Sequence, residues 1–156
     1  MNLVSKSNMG HWGAVALCFA LSGSAFAEDH VIKGVITQWQ PLVTFAQPGD
    51  TIKFIGMSGH DTTSMEGLLP EGAETWHSKL GEEGFTVVVE KEGAYVYKCT
   101  PHITTGMVGV IIVGDGDPAN LGDIEANAGN VKVGGNMVKR ALRKTKKALE
   151  KRAAGG

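Results

Sequence analysis

Residues 95–107 read Tyr95-Val96-Tyr97-Lys98-Cys99-Thr100-Pro101-His102-Ile103-Thr104-Thr105-Gly106-Met107, and the rest of the chain is organised around them. A thiol, an imidazole and a thioether fall within nine residues, as Cys99-x2-His102-x4-Met107. The preceding run, Ala94 to Cys99, alternates, with Tyr95 and Tyr97 on one face and Val96 on the other. The following run, Met107 to Val113, is apolar and β-branched. Two strands joined by one short loop are predicted, with three donor atoms on that loop. Soft sulfur with imidazole suits copper, whereas magnesium and calcium take oxygen ligands. Such a site needs a second imidazole. The upstream candidate is His60, in the turn Met57-Ser58-Gly59-His60-Asp61. The residues therefore predict a mononuclear copper site of His60, Cys99, His102 and Met107.

Cysteine usage supports that reading. Residues 1–27 read as a signal peptide: Lys6 gives a weakly positive start, Trp12 to Leu21 is mostly apolar, and Ala25-Phe26-Ala27 supplies small-x-small before Glu28. Leu17 directly before Cys18 argues against a lipid-attachment site. The apolar run falls short of the roughly 20 residues a spanning helix needs. Cleavage after Ala27 leaves 129 of 156 residues and one cysteine, Cys99. That length suffices for one domain with a real core. An exported chain with a single cysteine forms no internal disulfide. A free thiol in an oxidising compartment is safest when buried or bound to metal.

Charge is divided along the chain. Residues 28–131 carry five Lys and no Arg against 15 acidic residues, whereas residues 132–156 carry nine Lys plus Arg and one acid, Glu150. Five dispersed lysines make no nucleic-acid footprint in the body. The basic tail reads as the solvated face of a packed helix, with a mobile membrane- or partner-seeking tail as the alternative.

Seven short strands are predicted: Val31 to Ile36, Leu42 to Ala46, Thr51 to Met57, Thr75 to Leu80, Phe85 to Glu90, Ala94 to Cys99 and Met107 to Val113. Residues Thr62 to Glu74 read as a loop, punctuated by Gly67, Pro70 and Gly72; Met65, Leu68 and Leu69 either cap the core there or line an exposed patch. Short strands between turn signals argue for a β-sandwich over a parallel α/β sheet. Asp117 is expected to cap a helix starting at Pro118. Met137 to Arg152 is expected to form a second helix, with Val138, Ala141, Leu142, Thr145, Ala148 and Leu149 as its apolar stripe. This divides the chain into a signal peptide (1–27), a sandwich (28–116) and a helical extension packed on it (117–156).

Further expectations concern the neighbourhood of the site. His102, after Pro101, is the more exposed imidazole and the electron port. Ile103, Met107 and Leu68 are candidates for an apolar docking patch. Thr100 or Asp61 is expected to tie the two ligand loops together. His30 reads as solvent-facing, and His77, beside Trp76, as a surface or packing residue rather than a second metal ligand.

Gly59-His60-Asp61, residues 65–74 (MEGLLPEGAE), residues 93–102 (GAYVYKCTPH), Gly106-Met107 and Val113-Gly114-Asp115 with Pro118-Ala119-Asn120-Leu121 resemble the cupredoxin family of small blue-copper proteins. The resemblance implies an all-β, eight-stranded Greek-key sandwich with two C-terminal helices. It also implies copper held by His60, Cys99, His102 and Met107, and no enzymatic activity. Transfer of single electrons in the periplasm is implied, between a donor such as a c-type cytochrome and an acceptor such as copper nitrite reductase or nitrous-oxide reductase. A monomer with short-lived protein partners, no nucleic acid and no stable membrane insertion is expected. Two features depart from the family pattern. Asp61 stands where Asn is usual, and the body has few lysines, with Lys79 and Lys98 as candidates near the port. Rival readings are a copper carrier or metallochaperone, which favours an open, labile site, and a small copper oxidase or reductase, which needs an open coordination position.

Overall fold

The run Gly93–Lys98 and the run Val108–Val113 form two adjacent antiparallel strands in register from Gly93 opposite Val113 to Lys98 opposite Val108. The computed structural model describes residues 27–155. Its strands are β1 (Asp29–Val35), β2 (Gln38–Gln40), β3 (Val43–Ala46), β4 (Asp50–Ile55), β5 (Thr63–Ser64), β6 (Thr86–Val89), β7 (Gly93–Lys98) and β8 (Val108–Val113). The helices are α1 (Leu121–Asn127) and α2 (Gly135–Ala154). The segment read as a signal peptide lies outside the described residues, save Ala27.

Two four-stranded sheets stack, in the orders β2-β1-β4-β6 and β3-β8-β7-β5. The β1–β4 and β3–β8 pairs are parallel and the others antiparallel. Between the sheets lies a core with Ile32, Trp39, Ile52, Phe54, Tyr95, Tyr97 and Ile111. A second core lies on the other face of the β7–β8 pair, where Ala94, Val96, Val110 and Ile112 meet Ile124 of α1 and Val138, Ala141, Leu142 and Leu149 of α2. All six residues of β8 are buried. This explains why its sequence is a continuous apolar run: a strand covered on both faces has no polar side to alternate with. The opposed faces expected for Tyr95, Tyr97 and Val96 are observed.

Three local expectations are corrected. Thr75 to Leu80 is not a strand; it makes a single bridge, His77 to Thr63, although Trp76 does point inward and donates its indole N–H to Thr62 Oγ1 at 3.1 Å. β5 lies inside the segment read as loop, and β2 was not anticipated. The first helix begins at Leu121 rather than Pro118. Asn120 precedes it and makes no side-chain cap; its amide instead accepts from Ala94 N–H at 2.8 Å and donates to Ala94 O at 2.9 Å, tying α1 to β7.

In α2, Val138, Ala141, Leu142, Thr145 and Leu149 are buried, and Ala148 is half-buried at the edge of the same stripe. The helix is packed, not free. Its start meets the loop after β7: a Cβ on Gly134 would collide with Ile103 Cγ1. At its far end the Arg152 guanidinium lies 4.6 Å over the Phe45 ring and donates to Gly114 O at 3.1 Å.

Candidate metal centre

The loop from Cys99 to Met107 leaves β7 and enters β8 with its neck closed by hydrogen bonds. Cys99 N–H donates to Met107 O at 3.0 Å, and Met107 N–H donates to His102 O at 3.0 Å. Within the loop, His102 N–H donates to Cys99 O at 3.2 Å, and Ile103–Thr105 forms one 3-10 turn ending at Gly106 in the left-handed region. A loop with this many internal bonds leaves its side chains little freedom. Cys99 and Met107 are both fully buried and belong to the core between the sheets.

His60 arrives from the turn after β4. Its N–H donates to Met57 O at 2.8 Å, and its carbonyl accepts from Gly81 N–H at 2.8 Å. Glu83, an exposed carboxylate, accepts from Gly56 N–H at 2.8 Å and Met57 N–H at 2.9 Å and so fixes the same turn. Those two donors hold the Glu83 carboxyl below its ordinary pKa. Sequence reasoning missed Glu83; the acid pair Glu82-Glu83 carries no signal of a partner 26 and 27 residues away.

Three of the four predicted residues present their donor atoms to one point. His60 Nδ1 lies 3.2 Å from His102 Nδ1, and Cys99 Sγ lies 3.6 Å from the first and 3.4 Å from the second. The centre of a triangle with those edges is about 2.0 Å from each corner, close to the roughly 2.0–2.3 Å of metal–imidazole and metal–thiolate bonds. Among the described residues, these three form the only cluster of three or more His, Cys, Asp or Glu donors. The donor set and spacing fit one soft or borderline ion such as copper.

Burial shapes the electrostatics. It lowers the pKa of His60, reinforced by the neighbouring His102 and opposed by Asp61, so the ring is biased toward the neutral, ligating form. Burial also pushes the Cys99 thiol up, against the lowering effect of nearby backbone N–H donors. Metal binding must therefore displace a proton from this thiol. Asp61, itself buried, accepts a hydrogen bond from Thr100 N–H, which ties the two ligand loops as expected.

The predicted difference in exposure is present: His60 is buried and His102 is half-buried. The predicted apolar docking patch is not. Ile103, Met107 and Leu68 are all buried, and Met65 and Leu68 cap the core rather than face solvent. Leu68 and Ile103 are drawn under the helices, and Met107 into the core between the sheets. Lys79 is exposed and Lys98 half-buried. His77 is exposed, 2.7 Å from Thr63 Oγ1, and apart from the triangle. His30 is not solvent-facing as expected: its Nε2 lies 2.7 Å from the buried Asp50 carboxylate.

A two-sheet sandwich that gathers two imidazoles and a thiol at one end defines the class of small copper proteins called cupredoxins. Residues 30–114 match the family described as copper binding proteins, plastocyanin/azurin family. A pseudoazurin from Paracoccus pantotrophus is 37% identical over 116 residues, 69% of this chain and 78% of that protein. A putative pseudoazurin from Rhizobium leguminosarum bv. viciae is 39% identical over 119 residues, 72% of this chain and 77% of that one. A solved Sinorhizobium pseudoazurin superposes with a TM-score of 0.65 at 34% identity, covering 76% of this chain and 96% of that one. The chain belongs to the plastocyanin/azurin family and, within it, to the pseudoazurins. It is a copper-binding electron carrier and not an enzyme.

Proposed function

We propose that His60, Cys99 and His102 hold one copper ion, with the Met107 thioether as a weaker fourth ligand, and that the chain ferries single electrons between protein partners in the periplasm. When bound, copper supplies the one-electron couple, Cu(II) to Cu(I). The residues supply the rest. Cys99 offers an electron-rich sulfur, His60 and His102 offer neutral nitrogens, and Met107, from the same buried cluster as Cys99, favours the reduced ion. The clamped loop and the Asp61 bridge hold these groups in one arrangement, so little has to move as charge changes. Burial of His60, Cys99 and Met107 excludes water and leaves His102 as the route to the surface.

The observation that carries this reading is the triangle of His60 Nδ1, His102 Nδ1 and Cys99 Sγ, sized for one ion and largely sealed from solvent. Its closure disfavours the metallochaperone alternative, which needs easy exchange. Periplasmic location rests on the leader-like composition of residues 1–27. A c-type cytochrome as donor, and copper nitrite reductase or nitrous-oxide reductase as acceptor, rest on the family resemblance.

The test is stopped-flow mixing of the copper-loaded chain with a reduced c-type cytochrome, then with each reductase. The visible band is expected to bleach in the first step and return in the second, with one electron per copper. Copper release in place of reversible bleaching would support the carrier alternative.

A further inference from the structure

We infer that Trp76, Tyr97 and Trp39 form a second path for charge, which carries an electron vacancy from a radical oxidant at the surface through the core to His60 and the reduced copper. The inference rests on the copper reading above and adds a protective role, the discharge of small one-electron oxidants. Its first support is continuity. The ring centres of His60 and Trp39 are 6.2 Å apart, those of Trp39 and Tyr97 5.5 Å, and those of Tyr97 and Trp76 6.1 Å. Each step falls within ring–ring contact, about 4.5–7 Å between centroids. Tyr97 is 0% exposed, Trp39 2% and Trp76 8%, which makes Trp76 the outer end. His60 is the inner end, because its Nδ1 faces the other two donors of the metal centre.

The second support is the choice of residues. Among the described residues, Trp39 Nε1–H and Tyr97 O–H are buried with no hydrogen-bond partner. Leaving such a group unpaired costs about 1–3 kcal/mol. Phe54, whose ring lies 5.3 Å from that of Tyr97, fills the same core with a plain ring and no orphaned donor. The chain also makes room for the phenol: Gly109 of β8 stands opposite Tyr97, and a Cβ there would collide with the phenol ring. Packing alone disfavours two such side chains. Indole and phenol differ from a plain benzene ring in giving up an electron far more readily, and that difference is what the path needs.

The electron count closes. The radical takes one electron from the Trp76 indole and becomes an anion. The vacancy passes inward, and one electron from Cu(I) restores the indole and leaves Cu(II). No bond forms or breaks. The proton stays on Trp76, whose N–H donates to the Thr62 hydroxyl at 3.1 Å, a group that is no base at neutral pH. Tyr97 has no acceptor for its proton, and burial pushes its phenol pKa far up, so it bridges the two indoles rather than holding the vacancy itself. Cu(II) is a much weaker oxidant than an indole radical, so the path runs inward only and leaves ordinary transfer through His102 undisturbed.

The probe is the azidyl radical, made by pulse radiolysis. The protein is the Cu(I)-loaded chain carrying Trp12→Phe, so that Trp39 and Trp76 are its indoles. The indole radical is expected to decay at a rate independent of protein concentration, while the visible band grows at the same rate. Trp39→Phe is expected to keep the copper band and slow both changes several-fold. Trp76→Phe is expected to lower the yield of oxidised copper several-fold. Phe85→Leu, off the path, is expected to change neither. In the copper-free chain the radical is expected to live longer and mass spectrometry to find more oxygenated Trp76; Trp39→Phe brings that damage back in the loaded chain.

A decay that scales with protein concentration, an unchanged rate in Trp39→Phe, an unchanged yield in Trp76→Phe, or an equal effect of Phe85→Leu would overturn the inference. Failure of the underlying copper reading shows itself separately: hexacyanoferrate(III) raises no visible band, while azidyl still forms the indole radical.

Discussion

Thr100 N–H donates to the Asp61 carboxylate, joining the residue after one sulfur donor to the residue after one imidazole donor. This bond holds the two halves of the metal centre in register. Asp61→Asn keeps an acceptor oxygen and removes a negative charge beside the site. Copper is expected to stay bound and the reduction potential to rise, by on the order of 60 mV, a tenfold change in a one-electron equilibrium. Asp61→Ala removes the acceptor and is expected to cost about 1–2 kcal/mol of stability. Potentiometric titration and urea unfolding separate the two effects; a lower potential in the Asn variant would refute the charge argument.

Gly34 sits against the ring of His60. A Cβ there would meet His60 Cδ2 and Gly56 O, each at 2.9 Å, and the backbone oxygen cannot yield cheaply. Gly34→Ala is expected to destabilise by about 1–3 kcal/mol and to alter the spin-resonance spectrum by displacing one ligand ring. Gly122→Ala is the control: its Cβ meets nothing within 4 Å, and the change in α1 is expected to be neutral or stabilising by up to about 1 kcal/mol. An unchanged spectrum for Gly34→Ala would show that the ring is not held there.

Met107→Gln replaces a thioether with an amide oxygen, which favours the oxidised ion. Copper retention with a lower reduction potential is expected in a redox titration. An unchanged or higher potential would count against Met107 as a ligand.

Asp50 gives a pH dependence. Burial raises the pKa of this carboxyl, but N–H donors from Gln47 and Glu28 and the His30 ring outweigh it, and the net shift is downward. A carboxylate with a depressed folded pKa stabilises fully above the ordinary aspartate value of about 3.9, and that contribution disappears as pH falls through the lowered folded value. Asp50→Asn is therefore expected to be less stable by about 1–3 kcal/mol at pH 6, with the gap closing toward pH 2. Urea midpoints of the copper-free protein across that range read the difference.

Much of this molecule was legible in its sequence because the informative groups are local. β7, β8 and α2 announce themselves by long apolar runs or a helical stripe, and three of the four proposed ligands share one loop. What was missed lacks such a signal. β2 contains a single apolar residue, Trp39 between two glutamines, and β5 is Thr63-Ser64, so neither shows a pattern. Glu83 looks like any surface acid until the fold brings Gly56 and Met57 to it. Ile103 is a candidate for an exposed patch, and Leu68 is left open between patch and core cap, because the helical layer that buries both comes later in the chain. Asp117 before Pro118 carries a helix-start signal, but α1 begins only at Leu121, so the N-cap position falls to Asn120.

The central claim, a thiolate–copper bond at Cys99, is tested most directly by the visible spectrum of the copper-loaded chain beside that of Cys99→Ser. An intense band in the former and its loss in the latter, with β-rich circular dichroism retained, is the predicted result. A band of undiminished strength in Cys99→Ser would contradict the account.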